Sequence, residues 1–310
     1  MKVGVVGLGY WGKKVIKSYQ LLEKRGVVDQ VLGYDNRIIK DEAIDVCLSG
    51  SIQEIIRDSD AIHLCTPNIT HFDLAHKVLK ASKHILIEKP FALNKEDAFT
   101  LLRLASEHGV MLKVGHIFRF SNILKMSKHF VDSGEIGRVL FLELSWQHKW
   151  ESDSTSKEDV IWDILPHPID ITNFYLSEWP TNLFARGFSY IRKDLNDAIF
   201  LNCSTNSGVG IAISVSGVSP RKCRSVSIIG ESGQIAFDAL GREITLFKPE
   251  SEKQVVEVLP NDTILDEIID FMSATKNRRN SNNSGIDGMR NVEILEEVSR
   301  VIVRGTNPEV

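Results

Sequence analysis

The chain opens on an apolar, β-branched run, Val3, Val5 and Val6, that stops at a glycine-spaced turn and resumes with Val15 and Ile16 at helical spacing. That change of period predicts a buried strand, a turn and a helix between Met1 and Lys17. A second apolar run, Val27 to Tyr34, ends in Asp35. The alternation continues with a helix over Ile52 to Ser59, a strand over Ala61 to Asn68 and a helix over His71 to Ala81. A strand over His84 to Pro90, a helix over Lys95 to His108 and a strand over Val110 to Phe120 complete it. Strands alternating with helices build a parallel sheet with crossover connections.

From about Ser121 the pattern changes. A helix over Asn122 to Ser133 leads into an alternating strand, Val139 to Trp150, and then into the polar stretch Glu151 to Asp159, read as a surface loop in preference to a lid. Val160 to Leu176 reads as one helix with two prolines near its start. Successive strands follow over Leu183 to Ser189, Asp197 to Ser204, Gly208 to Val215, Arg224 to Gly230, Gln234 to Asp238 and Glu243 to Lys248. Two helices, Thr263 to Thr275 and Gly288 to Val303, close the chain. The expected architecture is an α/β Rossmann dinucleotide-binding domain, residues 1–120, followed by an α+β domain, residues 121–310, with a large, mostly antiparallel open-faced sheet. The last helix is free to pack back on the first domain.

Composition narrows the function. At 310 residues and 43% hydrophobic content the chain can bury two cores, while a formal charge of -4 removes the electrostatic footprint of a nucleic-acid binder. The densest basic cluster, Lys276 to Arg279, runs into polar residues and reads as a solvated loop. The four cysteines have no paired or metal-ligand spacing, so neither a disulfide framework nor a metal site is expected, and a reducing cytoplasm fits. The N-terminal apolar run is interrupted by Lys13, Lys14 and Lys17, and no apolar stretch approaches membrane-spanning length.

Gly7, Gly9 and Gly12 carry the G-x-G-x-x-G spacing. The first permits the tight strand-to-helix turn, the second lets backbone approach a pyrophosphate, and the third lets the helix sit close on the strand. Asp35, at the end of the next strand, is the acid expected to bind the ribose 2′-hydroxyl, which favours NAD; Arg37, two residues on, leaves NADP possible. Tyr10, Trp11 and Asn36 complete the candidate cofactor contacts beside these. In a parallel sheet the ligand lies beyond the carboxyl ends of the strands, so Thr66, Pro67, Asn68 and His71 also fall at the cofactor edge. Thr66 to Asn68 equally suit a turn that starts a helix.

Oxidising an alcohol requires a base beside the cofactor. Lys89, directly after a core strand, and His167 are the candidates, with Arg119 near the mouth as a substrate contact. Asp163 lies four positions before His167, and on one helix both would share a face where the carboxylate could orient the imidazole. The plain alternatives are a structural histidine and a surface lysine snorkelling from a strand end.

GLGYWG, the strand-end acid, CTPNITH, EKP, GHIFRF and WDILPH occur in this order, and the chain resembles the glucose-fructose oxidoreductase, inositol dehydrogenase and MocA-type family. The similarity extends through GEIGRV, SPRKCRSVSIIGESGQIAFD and SGIDGMRNVEILEEV, nearly the whole chain. It implies that Lys89 and His167 transfer the proton and orient substrate, with Asp163 assisting. It also implies that Glu88, Thr66, Pro67, Asn68, His71 and Trp162 line the cofactor and that the second domain binds substrate and partner subunits. Ser121 and Asn122 depart from the Asn-Pro often found there, so nothing carries over at those positions. The function this implies is an NAD(P)-dependent sugar or nucleotide-sugar oxidoreductase; an NAD-dependent glycoside hydrolase and a dinucleotide-sensing regulator are the alternatives. A sheet with apolar residues on both faces, as in Val139 to Trp150, points to a homodimer or homotetramer.

Overall fold

The computed structural model describes residues 1–37, 46–150, 159–277 and 283–305; the polar loop and the tail of the basic cluster fall largely outside these. The chain divides into two compact units, Met1–Ile117 with Asp262–Val292, and Phe118–Asn261 with Glu293–Val310. The first division falls at Ile117/Phe118, and the segment Asp262–Val292 belongs to the first unit.

The first unit begins with β1 (Lys2–Val6), α1 (Tyr10–Lys24), β2 (Gln30–Tyr34), β3 (Cys47–Leu48) and α2 (Ile52–Asp58). It continues with β4 (Ala61–Leu64), α3 (His71–Lys80), β5 (His84–Glu88), α4 (Lys95–Glu107) and β6 (Leu112–Gly115). All six strands are parallel, in the order β3-β2-β1-β4-β5-β6. The chain reverses direction across the sheet between β1 and β4, which opens a crevice at their carboxyl ends. Val3, Val5, Ile62, Leu64 and Ile85 to Ile87 are all 0% exposed, as strands covered on both faces must be. Side-chain caps set the helix starts: Ser51 accepts from the Glu54 N–H at 3.1 Å and Asn94 from the Asp97 N–H at 2.8 Å. The final sequence-expected strand is shorter than Val110 to Phe120, because Ile117–Phe120 winds into a 3₁₀ turn.

The second unit contains α5 (Asn122–Asp132), β7 (Val139–Lys149), α6 (Val160–Asp163), α7 (Pro166–Leu176), β8 (Thr181–Phe188) and β9 (Ala198–Ser204). β10 (Gly210–Ser216), β11 (Val218–Gly230), β12 (Gly233–Asp238), β13 (Glu243–Phe247) and β14 (Gln254–Glu257) follow. The chain ends with α8 (Thr263–Asn277), α9 (Gly285–Val301) and β15 (Val303–Arg304). α8 joins the first unit's core through Ile268, Phe271 and Met272. The nine-stranded sheet runs β14-β13-β12-β11-β7-β10-β9-β8-β15, parallel only at β7·β10 and β8·β15. One face, with Leu142, Leu144, Trp146, Ile213 and Val226, packs beneath Leu124 of α5, Ile161 of α6, Ile169 of α7 and Leu295 of α9. The opposite face presents Glu143, Ser145, Asn202, Ser214 and Ser227 along a shallow groove.

One expectation is corrected. Val160 to Leu176 is not a continuous helix: α6 stops at Asp163 and α7 starts at Pro166. Pro166 has no N–H to donate and its ring collides with the carbonyl one turn back, so it opens a helix and cannot continue one. Asp163 and His167 stand on different helices, and the shared-face argument for their pairing fails.

Candidate functional site

In the first unit the glycine turn is dictated by space. Gly7 has φ +93°, and a Cβ there would lie 2.7 Å from the Cys65 backbone. A Cβ on Gly12 would lie 1.8 Å from the Gly7 carbonyl oxygen, so α1 can start this close to β1 only with glycine there. At Gly9 the nearest atom to such a Cβ is 3.8 Å away: this glycine faces an open groove. Gly9 caps α1 without a side-chain bond, leaving the first-turn N–H groups available to an anion.

The groove, about 890 Å³, is lined by Gly7, Gly9, Tyr10, Trp11, Asp35, Asn36, Arg37, Thr66 and Pro67, all expected from sequence. Ile52, Ile69, Leu74 and Lys77 line it too and were not foreseen. The one available signal was Ile69, an apolar residue in a turn, 76% exposed. Asp35 accepts from the Leu8 N–H at 2.8 Å and from Arg37 through its backbone N–H, Nε and Nη2 at 2.9 to 3.1 Å. Burial pushes the Asp35 carboxyl up, but these hydrogen bonds outweigh it and hold its pKa below the usual value. Asn68 is 9% exposed with its amide nitrogen buried and unpartnered, a donor that fits a ribose or carboxamide oxygen. The open backbone at Gly9, the acid at Asp35 and the orphaned donor at Asn68 together fit a dinucleotide.

The remaining first-unit candidates bind the protein itself. Glu88, at the end of β5, accepts from the Trp11 indole at 2.5 Å and lies 3.3 Å from His63 Nε2. His63, Cys65 and Glu88 place their ligand atoms within 4.8 Å of one another. Burial pushes the Cys65 thiol well up and Glu88 adds to it. His71, 1% exposed, has Nδ1 2.8 Å from the Pro90 carbonyl and Nε2 2.8 Å from the Thr66 carbonyl. Lys89, between Glu88 and Pro90, is half-buried.

In the second unit Asp163 accepts from the Trp150 indole N–H at 2.9 Å. Trp150 is itself clamped, with the Arg192 guanidinium 3.6 Å from its ring centroid and Gly217 beneath it. His167 meets the edge of Phe118 at 5.0 Å, and Phe118 meets Trp146 at 5.1 Å. Trp162 packs on this unit's core. Arg119 spends its donors on Asp170, at 2.8 and 3.0 Å from Nε, and on Asn173 at 2.8 Å.

A parallel sheet with its switch point at β1/β4, a glycine turn opening on the crevice and an acid at the second strand's end define a Rossmann dinucleotide-binding protein with a second, mixed-sheet unit. Residues 1–116 match the oxidoreductase family with an NAD-binding Rossmann fold, and residues 124–236 match the GFO/IDH/MocA C-terminal domain. The chain belongs to the GFO/IDH/MocA oxidoreductase family. It is 26% identical to a UDP-N-acetylglucosamine 3-dehydrogenase of Acidithiobacillus ferrooxidans over 94% of this chain and 93% of that one. The solved structure of that dehydrogenase matches at TM-score 0.87 and 24% identity, covering 97% of both chains. Levoglucosan dehydrogenase with NADH and levoglucosan matches at TM-score 0.86 and 18% identity, over 97% of this chain and 96% of that one. A 3-ketoreductase from Actinomadura kijaniata, with NADP and TDP-benzene, matches at TM-score 0.88 and 16% identity over 99% of each. At these identities the structural matches speak for the fold.

Proposed function

We propose that the chain is an NAD-linked dehydrogenase that moves a hydride between nicotinamide and a ring carbon of a sugar or nucleotide sugar, interconverting hydroxyl and ketone. The observation that carries this reading is the first unit's groove, lined by the Gly9 backbone, Asp35 and the Thr66–Pro67 turn, with the unpartnered Asn68 amide on the next residue and Lys89 directly after β5 of the same sheet. The UDP-N-acetylglucosamine dehydrogenase that the chain resembles over almost its full length supports the substrate class.

The nicotinamide, when bound, takes or returns the hydride. The chain's task is to hold the alcohol and to accept its hydroxyl proton as the C–H bond breaks. Lys89 and His167 are the residues we assign to proton transfer and substrate orientation, with Asp163 assisting. The Trp150 bond fixes the Asp163 carboxylate, so its orientation comes from the strand β7 side and does not require a shared helix with His167. Arg119 we assign to support of α7 instead of substrate. Asp35 favours NAD, since it would accept from the adenine ribose hydroxyls and repel a 2′-phosphate; Arg37 lies against that carboxylate.

The exposed face of the large sheet, small and polar at Ser145, Ser214 and Ser227 with Phe200 beside them, supports a homodimer or tetramer built by sheet contact. Among the described residues no helix is long and apolar enough to cross a membrane. All four cysteines are free, which supports a reducing cytoplasm. Lys89→Ala and His167→Ala should each lower kcat by roughly 10²–10⁴, the worth of a positioned acid or base, and leave NADH affinity nearly unchanged. Near-normal turnover in both variants would contradict the assignment.

A further inference from the structure

The glycine turn and the turn at Thr66 and Pro67 line the groove of the first unit, and a third segment, Glu88 to Pro90, lies at the end of β5 in the same sheet. Two side chains cross-link them. Trp11, in the first, donates to Glu88 in the third. His71, at the start of α3, reaches the Thr66 carbonyl with one ring nitrogen and the Pro90 carbonyl with the other, each at 2.8 Å. The ring is 1% exposed, so it has no face to offer a ligand. Carbonyl oxygens only accept and a neutral imidazole has one N–H, so the neutral ring donates to one of the two turns while packing against the other. Burial pushes its pKa down and Lys89 adds to that, whereas the two carbonyls and Glu88 push it up.

We propose that His71 is a positioning residue, and not a cofactor contact: it ties the Thr66 turn, which lines the groove, to the Lys89–Pro90 turn and so fixes where Lys89 stands relative to that turn. The proposal rests on the reading of Lys89 as the proton-transfer residue, and its test involves no turnover, so the two can fail separately. His71→Asn and His71→Gln keep an amide NH₂ as donor but lack a second nitrogen on the far side to meet the other carbonyl. Two quantities are read in the full chain: the NADH dissociation constant by fluorescence titration, and the pH dependence of Lys89 acetylation by acetic anhydride, followed by peptide mass spectrometry.

The expected result is NADH binding weakened about 2- to 12-fold, the range of one lost net hydrogen bond. Lys89 should label faster in the variants, with an altered pH midpoint and reduced protection by NADH. A lower melting temperature with both readouts unchanged would make His71 a fold-stabilising residue only and overturn the proposal. Weaker NADH binding with unchanged Lys89 labelling would overturn it as well, since the ring would then act on one turn alone. Should neither variant fold, nitrogen-15 spectra of the wild-type imidazole decide. An exchange-protected ring N–H supports the tie, and fast exchange at both nitrogens overturns it.

Discussion

Asp170→Asn should be among the most damaging single changes in the second unit, although the side chain barely changes size. Arg119 is 9% and Asp170 2% exposed by side chain, and the pair joins the 3₁₀ turn Ile117–Phe120 to α7 across 51 residues of sequence. The carboxylate takes Nε at 2.8 and 3.0 Å and Nη2 at 2.6 Å. Neutralising it removes the charge that faces this buried guanidinium, which also donates to the Asn173 oxygen at 2.8 Å. Breaking one side of such a buried pair costs about 3–5 kcal/mol. At roughly 2–4 °C per kcal/mol for a domain of this size, the second unit should melt about 6–20 °C lower. Replacing both partners by apolar residues, Arg119→Met with Asp170→Leu, removes the stranded charge and should recover most of the loss. Calorimetry of wild type, single and double variants measures all three. A single variant within about 1 kcal/mol of wild type, or a double variant as unstable as the single, would refute the view that this arginine is a buried structural anchor.

The other expectations concern cofactor, pH and assembly. NADH should bind more tightly than NADPH, and Asp35→Ala should narrow the gap; a tighter fit of NADPH to wild type would reverse the cofactor assignment. His71 carries a pKa below its ordinary 6.5, burial being the main cause. Folding therefore weakens its hold on the proton: its contribution is fully present above pH 6.5 and is lost as pH falls below that, because the unfolded chain binds the proton first. Urea midpoints measured on either side of that pH should show a slope that His71→Asn flattens, and an unchanged slope would point to another titrating group. Light scattering during size exclusion should give a dimer or tetramer at micromolar concentration. A particle of one subunit's mass would mean that the exposed sheet face is content in water.

The parts legible in the sequence are those set by local rules. Gly7, Gly9 and Gly12 announce themselves by spacing because a single Cβ at two of them meets backbone, and the β-α alternation up to Gly115 follows from period alone. The break at Ile164 and Leu165 was also legible, since Pro166 cannot continue a helix; the apolar periodicity masked it. β3 and β14 were missed because they are short edge strands with side chains mostly exposed, each paired with the strand before it. That α8 joins the first unit depends on Ile268, Phe271 and Met272 meeting α1 and β1 residues, a tertiary fact without a local signature. The same holds within the site. Spacing placed Arg119, Glu88 and His71 at its edges but said nothing of their partners, Asp170, Trp11 and the Pro90 carbonyl, each remote in sequence.

Hydride transfer from a sugar carbinol is read most plainly as absorbance at the nicotinamide band with NAD and a panel of nucleotide sugars and free polyols. Steady formation of NADH is expected with at least one of them, and its loss in Lys89→Ala and His167→Ala while NADH still binds. A protein that binds NADH but reduces no NAD, with every sugar and polyol in the panel recovered unchanged, would contradict it.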